Sequence, residues 1–192
     1  MTTTENNKRI ARNTLLLYFR MLFLMIISLY TSRIELKALG VEDFGIYNVA
    51  GGVVAMFSIL SGSLSAAISR FITYELGKNN ILKLKVIFSS AITIQIGLGI
   101  VIVFFAETIG IWFLNTQMNI PIERMVAANW VLQFSIITFI INLISVPYNA
   151  VIIAHEKMSA FAYISIFEAI GKLLIAYLIT ISPIDKLIFY AI

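Results

Sequence analysis

The chain contains no cysteine, a single histidine and only three prolines. The missing cysteine excludes disulfides, thiol nucleophiles and cysteine-ligated metals, and leaves the redox compartment open. Charge is scarce as well: 12% of the 192 residues are charged, where an ordinary soluble domain carries about 25%. Signatures of catalysis are also missing. His155 lies in His155-Glu156-Lys157, but the zincin pattern needs a second histidine four residues on, and Ser159 stands there. Neither a phosphate loop of the form G-x-x-x-x-G-K-[ST] nor a G-x-S-x-G nucleophile elbow occurs. With one histidine and few acids, the expectation is a protein that is not an enzyme and holds no cofactor and no metal.

What is abundant is apolar surface. Hydrophobic residues make up 60% of the chain, and the mean hydropathy is +0.94. A soluble core of this chain length cannot bury that much, so the excess faces lipid. The net charge of +4 does not point to nucleic acid, because the basic residues are scattered over short connections between apolar runs, where they set membrane orientation.

A spanning helix needs about 20 mostly apolar residues. The runs predict helices over 13–32, 44–69, 86–105, 126–149 and 158–180, with the start of a sixth at 187–192. Pro147 is expected to end or kink the fourth. The first run is long, is interrupted by Arg20 and is followed by further spans, so it reads as a helix that stays and not as a cleaved signal. The fold class is therefore all-α: residues 1–192 form one polytopic membrane helix bundle, with five complete transmembrane helices plus an incomplete sixth. A helix of about six residues cannot cross the hydrocarbon, so the chain is expected to be truncated at its C-terminus. With the N-terminus inside, the cytoplasmic segments hold Lys8, Arg9, Arg12, Arg70, Lys78, Lys83, Lys85 and Lys157, against Arg33, Lys37, Arg124 and Lys186 outside. That bias predicts a cytoplasmic N-terminus. Trp112, in the stretch 109–114, is expected at the outer interface.

Polar residues inside these runs are the candidates for function. Arg20 comes first, because a charge at a helix centre costs about 2.5–3.5 kcal/mol on insertion scales. At 100° per residue, Asn13, Arg20 and Thr31 share nearly one face, which points into a bundle or cavity; the alternative is that Arg20 snorkels to the cytoplasmic surface. An arginine in a cavity suits an anion, which its fork binds bidentately. Glu168 and Lys172 are spaced i, i+4, with Ser165 on the same face. The pair is a proton or ion switch, a substrate contact, or a structural pair that fixes helix packing. In the fourth helix, Ser135, Thr138, Asn142, Ser145 and Asn149 recur at steps of three and four, as a hydrophilic pathway or as bonds between helices; Asn129 and Gln133 lie off that line. In the second, Gly51, Ala55, Ser58, Gly62 and Ala66 form a small-residue ridge, read as helix packing with a sliding or hinge surface as the alternative. Gln95 is a weaker cavity candidate.

Several segments carry a family resemblance: 9–14 (RIARNT), 39–49 (LGVEDFGIYNV), 147–150 (PYNA) and 154–158 (AHEKM). The L-G-x-x-[DE]-[FY]-G-x-[YW] element between the first two helices is the most specific of them. Together they resemble the bacterial polysaccharide flippases of O-antigen and lipopolysaccharide biosynthesis, in the superfamily that includes the multidrug and toxin extrusion (MATE) antiporters and lipid II flippases. The resemblance covers about residues 8–180. It implies a MATE-like fold of twelve to fourteen helices in two bundles, of which this chain would hold the N-terminal one. It also implies transport of undecaprenyl-diphosphate-linked oligosaccharide from the cytoplasmic to the periplasmic leaflet by alternating access, in the bacterial inner membrane, through a cationic cavity in which Arg20 takes the place of a first-helix arginine. Expected partners are the lipid-linked oligosaccharide, membrane lipid and a polysaccharide polymerase or other assembly proteins, with no nucleic acid. The rival readings are a drug or cation antiporter, a non-transporting assembly subunit, and a membrane enzyme of glycan assembly.

Overall fold

The structure, a computed structural model, describes residues 3–183 and 185–191, and every regular element within them is helical. The order is α1 (Thr3–Ala55), α2 (Ser58–Gly77), α3 (Ile81–Phe105), a π-helical turn (Ala106–Gly110), α4 (Ile111–Thr116), α5 (Ile122–Ala154), α6 (Met158–Ile181) and α7 (Lys186–Ala191). Four stretches are long and apolar enough to cross a membrane: Ala11–Ala55, Ile81–Thr116, Ile122–Ala154 and Met158–Ile181. Helices of this kind satisfy every backbone donor and acceptor internally, which lipid demands. The chain has the makeup of an all-helical, multi-pass membrane protein.

Among the described residues, the expected five complete spans and the start of a sixth are not matched. The helix expected over 44–69 is not continuous, because the chain turns at Met56 and Phe57, just after the poor helix-forming run Gly51-Gly52-Val53-Val54. Its first part belongs to α1, which bends at Gly40 (φ 79°, ψ 172°) and continues to Ala55. Its second part is α2, which reaches Gly77, well past the expected end. The third helix begins earlier than expected, at Ile81, with Asn80 Oδ1 accepting from the Lys83 N–H (3.2 Å). It continues through the π-helical turn into α4. Pro147 does not end α5, which carries this buried proline through to Ala154. In place of a sixth span, α7 is one short helix whose Leu187 is buried in the core; Ile192 lies outside the described residues.

Three pairings organise the bundle. Residues 41–77 follow α5 in parallel. Asp43 meets Arg124 at 3.2 Å, Gly51 faces Ser135, the Phe57 and Phe139 rings lie 6.5 Å apart, and Ile72 and Ala150 share a buried cluster. By contrast α3 runs antiparallel to α5, with Phe88 against Tyr148 (5.3 Å) and Gly99 against Ile140. The N-terminal limb of α1, residues 3–39, runs parallel to α6, from Arg20 at Phe161 to Tyr30 at Tyr177.

The main core gathers at one end of this arrangement. Leu39, Ile46, Ala50 and Val54 of α1 pack there with Ala128, Val131 and Leu132 of α5, Ile179 of α6 and Leu187 of α7. The limb of α1 stands apart from it: Leu15, Phe19, Leu22, Met25, Ile26 and Leu29 are all exposed. The accessible surface is 12612 Å², against about 9,200 Å² for a compact soluble chain of this mass. The apolar excess lies along such faces.

The bend at Gly40 is the most sequence-dependent point of the fold, because its dihedrals lie in a region only glycine occupies readily. A Cβ there would touch nothing within 4 Å, so Gly40→Ala acts through backbone strain alone. It is expected to cost about 1–3 kcal/mol, read as a lowered unfolding midpoint in detergent; an unchanged midpoint would show that the bend does not depend on glycine.

Candidate functional site

A groove of about 490 Å³ runs between the α1 limb and α6, within the usual size of ligand pockets. Arg20, Ser28, Thr31, Ser32 and Glu35 line it from α1, and Ser165, Glu168 and Lys172 from α6, with Leu24, Ile27 and Ala169 between them. On α1 these residues recur every three or four positions, so a single helical face supplies that whole wall.

The polar groups of this groove differ in how they are satisfied. The Arg20 guanidinium carbon lies 4.3 Å from the Phe161 ring centroid, a cation–π contact with α6. Its Nε is buried with no hydrogen-bond partner, and so is the Thr31 hydroxyl. A buried polar group left unmatched costs about 1–3 kcal/mol, so both atoms are positions where a ligand or water gains a bond. Lys172 Nζ contacts Glu168 Oε1 at 2.7 Å, and both side chains are exposed, at 68% and 61%. Ser165 is buried and donates to the Phe161 carbonyl at 2.9 Å. Glu35 is buried at the end of the groove and accepts a hydrogen bond from the Tyr190 hydroxyl of α7. Burial and that bond to Glu35 push the Tyr190 phenol well above its ordinary value, and the Tyr190 ring packs 4.7 Å from that of Tyr47.

Of the residues expected to matter, the groove brings together Arg20, Thr31, Glu168 and Lys172. Asn13, half-buried on α1, does not line it. The α5 stripe lies elsewhere. Ser135 faces Gly51, Ser145 donates to the Ile141 carbonyl (2.9 Å), Thr138 and Asn142 are exposed, and Asn149 is half-buried. The off-line pair is engaged between elements: Gln133 Nε2 donates to Glu107 Oε2 of the π-helical turn (3.0 Å), and Asn129 Nδ2 to Asn115 Oδ1 (3.3 Å). The small-residue ridge is divided by the turn at 56–57. Gly51 lies against Ser135, but Ala55, Ser58, Gly62 and Ala66 are exposed, so no continuous packing face forms within the described residues. Gln95 is fully buried between α3 and α5, and neither of its polar side-chain atoms has a partner.

Glu35 and Tyr190 were not expected at the site. Ending the first helix at Ser32 placed Glu35 in a connection. Continuing the 3.6-residue period past Ser32 puts Glu35 one turn above Thr31, and this was the signal available. Nothing in the local pattern pairs Tyr190 with a residue 155 positions earlier.

Tyr190 gives a pH prediction. Its folded-state pKa lies above the unfolded value, so the stability it contributes is intact below about pH 10 and is lost as pH rises beyond. Thermal midpoints measured across the alkaline range are expected to fall more steeply for the native chain than for Tyr190→Phe; parallel curves would sink the assignment. Comparison with protein-family models, with curated proteins and with solved structures returned no match.

Proposed function

We propose that the chain forms one bundle of a flippase for undecaprenyl-diphosphate-linked oligosaccharide, an O-antigen, capsule or exopolysaccharide precursor, working by alternating access in the bacterial inner membrane with its N-terminus in the cytoplasm. The observation that carries this reading is Arg20: a guanidinium within an apolar helix, lining an open groove, with a buried Nε that finds no hydrogen-bond partner among the described residues. A diphosphate is the ligand such a fork suits, and Ser28, Thr31 and Ser32 add hydroxyls for the first sugars. The segments resembling polysaccharide flippases support the same substrate. Residues 41–77, bent at 56–57 but following α5 from end to end, would serve as a return crossing between the parallel α1 limb and α6. A second bundle, on this or another chain, would complete the cavity, and a polysaccharide polymerase would take the product. The protein carries out no covalent step.

A cation or drug antiporter is the second reading, favoured by Glu35 and Glu168, which line the same groove and make it less cationic than Arg20 and Lys172 alone would. Uptake assays with organic cations separate the two: cation transport lost in Glu35→Gln would favour the antiporter.

The decisive variant is Arg20→Ala. Surface polysaccharide is expected to drop at least tenfold at unchanged protein level. Arg20→Lys, which keeps the charge but loses the fork, is expected to restore only part of it. Normal polysaccharide in Arg20→Ala would remove this residue from the substrate path.

A further inference from the structure

A second groove, of about 600 Å³, lies on the opposite flank of the α1–α6 pair. Tyr30, Arg33, Ile34, Lys37 and Ala38 line it from α1, Tyr177 and Thr180 from α6, and Lys186 from the start of α7. On α1 these positions lie on average roughly 115° around the helix from those of the first groove at 100° per residue, and the two grooves share no lining residue.

The charge of this groove is one-sided. Arg33, Lys37 and Lys186 converge on it from α1 and α7, and no acid lines it. Lys186 also borders an adjoining pocket that holds Asp43, Arg124 and Asp185, where the acids are taken by the arginine. In the first groove, Lys172 has Glu168. Arg33, Lys37 and Lys186 make no ion pair among the described residues. The Tyr30 and Tyr177 hydroxyls are hydrogen-bonded to each other at 2.8 Å. One of them donates to the other, which leaves the second hydroxyl hydrogen free to donate. The Thr180 hydroxyl is already committed to the Tyr177 carbonyl (2.6 Å).

The level of the groove along the chain is also informative. It lies where the apolar run of α1 gives way to Arg33, Glu35 and Lys37, and where that of α6 gives way to Ser182, Pro183, Asp185 and Lys186. Exposed tyrosines with basic side chains at the end of apolar helices mark headgroup depth in a bilayer.

We propose that this groove binds the phosphate of an anionic lipid headgroup, with Arg33, Lys37 and Lys186 supplying charge and the Tyr30–Tyr177 pair a hydroxyl donor, while the acyl chains lie along the exposed apolar faces of α1 and α6. The site is separate from the Arg20 groove and does not depend on what that groove transports.

The test uses the full chain purified in detergent and incubated with phosphatidylglycerol or phosphatidylcholine, with retained lipid counted by native mass spectrometry. Phosphatidylglycerol is expected to be held in preference, and more weakly as ionic strength rises. At about 1 kcal/mol per cation near a membrane surface, each of Arg33→Gln, Lys37→Gln and Lys186→Gln weakens retention roughly fivefold, and the triple variant on the order of 100-fold. The charge-conserving set Arg33→Lys, Lys37→Arg and Lys186→Arg is expected to keep the preference. Equal retention of the two lipids, or single glutamine variants that bind as the native chain does, would overturn the proposal. Inorganic phosphate that displaces nothing at millimolar concentration supports a lipid source; phosphate that occupies the site unaided, with no lipid preference, would make it a soluble-anion site and overturn the lipid assignment.

Discussion

Arg124 ties together three segments that are far apart in the chain. From the first turn of α5 its Nε reaches Asp43 (3.2 Å), just beyond the Gly40 bend, and its Nη1 reaches Asp185 (2.7 Å), between α6 and α7. Asp185 also accepts the Leu187 N–H (3.0 Å), so the same carboxylate that pairs with Arg124 starts α7. A cation at a helix N-terminus is poorly placed relative to the helix dipole, and two carboxylates offset that here. Because the α1 limb leaves Gly40 and α6 ends close to Asp185, this one side chain sets where both helices of the groove-forming pair are anchored. The main core packs around the same point, and the rest of the pair extends away from it, packed chiefly helix against helix.

The two grooves follow from that pairing. Two parallel helices in contact leave a furrow on each flank, and the residues facing each furrow are fixed by the helical period. One flank of α1 carries Arg20, Ser28, Thr31 and Glu35, and the other carries Tyr30, Arg33 and Lys37. The first mixes both signs of charge around unsatisfied buried donors, while the second is purely basic and lies at the end of the apolar runs. In the proposed reading the first holds cargo in transit and the second holds the bilayer itself.

How much of this was legible depends on which force set each feature. The membrane-spanning character followed from composition, and α6 began at Met158 and ended at Ile181 much as its apolar run predicted, because propensity and apolar length agree there. The sites of Arg20, Glu168 and Lys172 were legible as misplaced charges, and the shared face of Arg20 and Thr31 from the helical period. Their convergence in one groove was not, since it depends on α1 pairing with α6, more than a hundred residues away. The extent of α1 was missed because charge at Arg33, Glu35 and Lys37 reads as a loop, whereas the backbone stays helical until a glycine permits the bend. The α5 stripe shows the opposite limit: its period is genuine, but Ser145 bonds its own helix and Ser135 meets α1, so periodicity marks a face without telling what that face meets.

The isolation of the α1 limb beyond Gly40 makes it a lever. Arg20 lies 20 residues from the bend, about 30 Å along a helix. A rotation of 10° at that single residue displaces the guanidinium by roughly 5 Å, enough to exchange one set of partners on α6 for another. The same rotation moves Leu39 hardly at all. The groove can therefore change its width and its polar contacts while the core around Arg124 stays packed, and the energetic cost of that motion falls on a helix–helix seam instead of on the hydrophobic interior.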